Sequence, residues 1–144
     1  MRFFFYGSLL DNDVTALVIG RRLPPMAWVP ATLTGFSRRK AKGVTYPVAI
    51  RDPKGRVEGA VVGGFSCKEV ERLQAYEGVR YHTVPLKVWV HGHITTVSVF
   101  EPKEKAFQPV DGEWSLTLWQ RRDKRKFVER IRKVFSAHPA YSRQ

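Results

Sequence analysis

A chain of 144 residues, 43% of them hydrophobic, fits one globular domain over residues 1–144, and a single cysteine, Cys67, excludes an internal disulfide framework. The formal net charge of +12 allows nucleic acid, an acidic membrane surface or small anionic substrates as partners, but it bears on association rather than on fold. The apolar start, Phe3 to Tyr6, is too short for a signal peptide or a spanning helix, so a reducing, cytoplasmic setting is expected.

Arg2 to Tyr6 is aromatic-rich and bounded by Gly7, which predicts a strand covered on both faces. Beyond Gly7-Ser8-Leu9-Leu10, either Asp11 or Asp13 can cap a helix running to Ile19, with Gly20 as its terminator. Amides exposed at such a strand-to-helix junction can receive a carboxylate or a developing oxyanion; the alternative is an ordinary connection.

Leu23 to Pro30 holds three prolines and reads as a connector, with strand pairing resuming near Ala31. The basic run Arg38 to Lys42 reads as a solvated strand edge, although it could also grip phosphate. Tyr46 to Ile50 predicts a short strand, and Asp52-Pro53-Lys54-Gly55 a turn that reverses the chain into a hairpin partner, Val57 to Phe65.

Ser66 and Glu69 form a capping-box pattern, so a short helix begins there and stops at Gly78. Val70, Leu73 and Glu77 fall at i, i+3 and i+7, which places a carboxylate on the apolar face at the last turn, while Lys68, Glu71 and Arg72 point outward. The competing reading has the helix fray early and leaves Glu77 in solvent.

His82 to Val90 and Ile94 to Phe100 are β-branched runs joined through His91-Gly92-His93, a hairpin by composition. The histidines lack the ligand number and spacing of a zinc site, so no metal is expected. Pro102 to Pro109 reads as a linker. Residues 114–137 then form a basic amphipathic helix: Phe127, Val128, Ile131, Val134 and Phe135 make its apolar stripe, and the basic residues from Arg121 to Lys133 cover the opposite face. That face suits solvent, with nucleic acid or an acidic surface as the alternative partner. His138-Pro139 ends the helix. Hairpin-like connections throughout imply an α+β fold: a small, mixed, largely antiparallel β-barrel of about six or seven strands with two or three flanking helices.

The ordered set Tyr6-Gly7-Ser8-Leu9-Leu10, Gly35-Phe36, Tyr46-Pro47, Val57-Glu58-Gly59 and Tyr76-Glu77-Gly78-Val79-Arg80-Tyr81 resembles the gamma-glutamylcyclotransferase-like family. The resemblance spans roughly residues 2 to 100. It implies a small mixed barrel that cyclises a γ-glutamyl amide to 5-oxoproline without metal or cofactor. It assigns substrate binding to Tyr6, Gly7, Ser8, Leu9 and Leu10, with Tyr46 and Tyr81 in the same pocket, and the acid/base role to Glu77. Gln74, His82-Thr83 and Phe100 depart from the family pattern. The competing functions are a barrel of this type acting on another small molecule, and a basic binding module.

Overall fold

The computed structural model describes residues 1–135, without the side chains of residues 134 and 135. It is an α+β fold with elements in the order β1 (Phe3–Phe5), α1 (Asn12–Ile19), β2 (Val29–Ala41), β3 (Val48–Val62), α2 (Cys67–Glu77), β4 (Tyr81–Val90), β5 (His93–Pro102), β6 (Pro109–Glu113), α3 (Leu116–Arg122) and α4 (Lys124–Phe135). Single 3-10 turns stand at Ser8–Leu10 and Pro25–Ala27. The strands run β3-β1-β5-β4-β2 around a barrel that closes through β2–β3 pairing, and β6 is added outside β2. Among the described residues only the β1–β5 pairing is parallel.

The strand alternation of β1 divides the core in two. Phe4 and Tyr6 join Ala31, Leu33, Val57, Val61, Val88, Val97 and Val99 in a cluster drawn from the strands and the ends beside them. Phe3 and Phe5 point the other way, to meet Val14, Val18, Leu73, Trp119, Phe127 and Ile131 from the helices. Phe3, at 0% exposed, stacks on Phe100 with ring centroids 5.0 Å apart. Burial of each such ring contributes about 2 kcal/mol of transfer free energy, so the three-residue β1 fastens barrel to helices.

Asp11, not Asp13, caps α1: its carboxylate accepts from the amides of Asp13 at 2.9 Å and Val14 at 3.0 Å. Gly20 closes the helix in the left-handed region, φ 86°, as its place after Ile19 predicts. The capping box of α2 forms as expected. Glu69 also pairs with Arg21 at 2.6 Å, and Arg72 donates to the Ile19 carbonyl at 2.8 Å, so α1 and α2 are tied at both places. Arg72 therefore reaches a neighbouring helix instead of simply pointing outward.

Four expectations are corrected. Asp52-Pro53-Lys54-Gly55 does not reverse the chain: β2 and β3 pair along nearly their whole length, with Thr34 opposite Arg56 and Phe36 opposite Arg51. The four turn residues are looped out against Gly35 as an enlarged bulge, and Gly55 is required there because a Cβ would stand 2.2 Å from the Phe36 carbonyl oxygen. Arg38 to Lys42 is not a free edge either, since β2 pairs with β3 on one side and β6 on the other. Third, the short β6 interrupts what composition marks only as the approach to a helix. Fourth, the helical segment expected at 114–137 is, among the described residues, two helices divided at Asp123, giving four α-helices there in place of two or three. Residues 136 and 137, and the stop at His138-Pro139, lie outside the described residues.

Candidate active site

A cavity of about 380 Å³ opens between the end of the barrel and the helices. Its lining brings together the β1 exit (Tyr6, Gly7, Ser8, Leu9), the Gly43–Pro47 loop, the end of α2 (Tyr76, Glu77), Tyr81, Phe100, and three residues of α4: Phe127, Arg130 and Ile131. Of the sequence-predicted site residues, Leu10 does not line it. Successive residues of a 3-10 turn point about a third of a turn apart, and Leu10 faces the helix-side core while Ser8 and Leu9 reach the cavity.

The loop after β1 is held from several directions. Tyr6 donates its hydroxyl to the Phe100 carbonyl at 2.7 Å, and Arg38 donates to the Tyr6 carbonyl at 3.0 Å while its guanidinium lies over Trp114. Thr15 donates to the Leu9 carbonyl at 2.6 Å, and Ser8 Oγ meets Tyr76 Oη at 2.5 Å. Within the turn, the amides of Leu10 and Asp11 are taken by the carbonyls of Gly7 and Ser8. A helical turn leaves its first amides without partners inside the turn, so those of Ser8 and Leu9 are the ones such a loop offers to an anion. Gly7 packs tightly on Pro47: a Cβ would stand 3.2 Å from the proline ring.

Helix α2 runs through Glu77 before Gly78 stops it, with the Gly78 amide donating to the Gln74 carbonyl at 2.9 Å. Leu73 on the same face is 0% exposed, so its i, i+4 relation to Glu77 carries that side chain inward to the cavity. The residue as a whole is half-buried where it lines the cavity, and burial pushes the pKa of its carboxyl up to about 8. The phenols around it respond in kind. Burial first, then the nearby Glu77 charge, hold Tyr6 and Tyr81 well above the usual phenol range. Tyr46 is raised mainly by burial, against the pull of Arg80 and Arg130 beside it.

Sequence reasoning missed the contribution of the C-terminal helices. Trp114 and Trp119 both donate to Thr45, at its carbonyl (2.9 Å) and hydroxyl (3.3 Å), and so hold the cavity loop in place. Lys124 reaches Asp11 at 2.9 Å and Asp13 at 2.6 Å, and Gln120 donates to Asp11 at 2.9 Å, which docks α3 and α4 beside the loop that Asp11 ends. The buried apolar stripe of α4 was the available signal. Its first part, Phe127 and Ile131, faces the cavity, while Arg125, Lys126, Arg132 and Lys133 are exposed. Among the described residues no group of His, Cys, Asp or Glu is arranged to hold a metal, and no helix is long and apolar enough to cross a membrane.

Residues 3–116 match the family model described as gamma-glutamyl cyclotransferase, AIG2-like. AIG2-like protein A of Arabidopsis thaliana is 35% identical over 133 residues, covering 91% of this chain and 79% of the relative. A solution structure from Arabidopsis thaliana superposes with a TM-score of 0.67 at 34% identity, over 96% of this chain and 92% of that one. A structure described as a gamma-glutamyl cyclotransferase superposes with a TM-score of 0.61 over 75% of this chain and 68% of its own; at 20% identity it shows a shared fold.

Proposed function

The chain belongs to the gamma-glutamyl cyclotransferase, AIG2-like family, and on that premise we propose that it cyclises a γ-glutamyl amide to 5-oxoproline with release of an amine or amino acid. The observation that carries this reading is Glu77, a half-buried carboxyl whose pKa burial pushes up to about 8, in one cavity with the Gly7-Ser8 loop.

The substrate's own α-amine is the nucleophile, and near neutral pH it is largely an ammonium. A carboxylate at its ordinary pKa of about 4.3 is a poor base toward an ammonium of about 7.8. Glu77, raised to about 8, is matched to it, and proton transfer between matched groups is efficient. Ionised Glu77 removes one proton from the α-ammonium, and the nitrogen lone pair attacks the γ-carbonyl carbon to close the ring. The tetrahedral oxyanion, or the α-carboxylate, is received by the loop amides at Ser8 and Leu9. Protonated Glu77 then gives its proton to the departing nitrogen as the old carbon–nitrogen bond breaks, the ring nitrogen loses its second proton to the released amine, and the carboxylate is restored. Tyr6, Tyr46 and Tyr81 wall the cavity with Phe100 and hold the substrate's methylenes against apolar surface. Ring closure is intramolecular, so a pocket that holds the glutamyl chain folded supplies much of the acceleration.

The test is release of 5-oxoproline from γ-glutamyl amino acids, γ-glutamyl amines and glutathione. Turnover of any one of them by the purified protein is the expected result, and turnover of none would overturn the reading.

A further inference from the structure

The residues lining the cavity divide by exposure. Phe4, Phe5, Tyr6, Leu9, Phe100 and Phe127 are buried, whereas Gly43 and Arg130 are exposed and therefore mark the mouth. Among the described residues, Glu77 and Arg130 are the two lining residues with acidic or basic side chains, one half-buried and one exposed at the rim. The Arg130 guanidinium stands 5.8 Å from the centroid of the buried Phe127 ring, which lines the same cavity.

Helix α4 cannot easily shift away from this position. Phe127 and Ile131 are buried, and Lys124 is paired with Asp11 directly after the 3-10 turn at Ser8–Leu10. The segment lies beyond residues 3–116, so the cation at the mouth is contributed by a part of the chain outside the matched family region.

Resting on the cyclisation proposed above, we infer that Arg130, at the mouth of the cavity, forms a subsite for an acidic group on the departing amine. The glutamyl part, common to all substrates, occupies the enclosed end with Glu77 and the loop amides. The part that leaves faces the mouth, where a planar guanidinium suits a carboxylate. The chain is thus selective for γ-glutamyl amino acids or peptides over γ-glutamyl amides of uncharged amines.

Two substrates isolate this contact: γ-glutamyl-alanine and γ-glutamyl-ethylamide, which differ by one carboxylate on the leaving group. The ratio of their kcat/KM values favours the acid by about 10-fold or more in the parent protein. Arg130→Gln collapses that ratio towards unity, and Arg130→Lys, which keeps the charge, retains part of it. A ratio near unity in the parent, or a ratio that Arg130→Gln leaves intact, would overturn the inference. Equal losses on both compounds would do so too, since they would place Arg130 on the shared glutamyl part. If neither compound is turned over, the cyclisation reading is the one that has failed, and equilibrium binding of the same pair to Glu77→Gln and to Glu77→Gln/Arg130→Gln decides the subsite. Tighter binding of the acid that disappears in the double variant supports it; equal binding of both compounds by Glu77→Gln rules it out.

Discussion

Ser8 Oγ and Tyr76 Oη lie 2.5 Å apart, so the loop that leaves β1 is hydrogen-bonded to the last turn of α2, one residue before Glu77. Two segments separated by 68 positions in the chain are thereby held at a fixed spacing, and they are the two that the proposed chemistry requires to act on one substrate.

Tyr76→Phe removes that bond while keeping the ring among its neighbours. A net hydrogen bond is worth about 1 kcal/mol, and a small loss of positioning costs roughly 10-fold in rate. Thermal melts paired with steady-state kinetics are expected to show both effects. A stability loss with unchanged kinetics would make the contact purely structural.

Glu77 also makes a prediction about stability, and its sign is opposite to that of an ion-paired carboxylate. In the folded chain its pKa is pushed up to about 8, whereas in the unfolded chain it is about 4.3. Between those values the folded state holds a proton that the unfolded state has released, so stability falls as pH rises through that window and levels off above it. Removing the acid removes the penalty. Glu77→Gln is expected to match the parent near pH 4 and to exceed it near pH 9 by up to about 5 kcal/mol, read by chemical denaturation at each pH. Equal stability at both would show that the carboxyl is well solvated.

Asp11 is 1% exposed and serves four donors: two amides of α1, Gln120 and Lys124. Asp11→Ala removes the cap and leaves the Lys124 ammonium short of a partner, at a cost of about 3 kcal/mol. Asp11→Asn keeps an oxygen for the cap and costs less. Urea denaturation of the two variants checks the order, and equal losses would mean that the capping oxygen contributes nothing beyond the charge.

Local signals carried much of the fold. The Ser66–Glu69 capping box, the Gly20 and Gly78 stops and the His91-Gly92 hairpin are decided by neighbours in sequence, and each is found where its residues predict it. The bulge at Asp52–Gly55 was not legible, because turn chemistry specifies a local bend and only strand register says whether the chain reverses. Arg38 misled for a related reason. In a basic run it reads as solvated, yet its partners are the carbonyls of Tyr6 and Glu58, both distant in sequence. For the site, the inward turn of Glu77 could be read from helical spacing. That Phe127, Arg130 and Ile131 share its cavity could not, since the docking of α4 depends on Asp11 meeting Lys124 across the fold.

The most direct measurement is 5-oxoproline release by the parent protein and by Glu77→Gln at about pH 8, on the best substrate, with folding of the variant confirmed by its melting transition. General acid–base work of this kind contributes about 10²- to 10⁴-fold, so the account predicts a folded variant whose turnover falls by that factor. A folded Glu77→Gln protein that forms 5-oxoproline at the parent rate would contradict the assignment of Glu77 and the mechanism built on it.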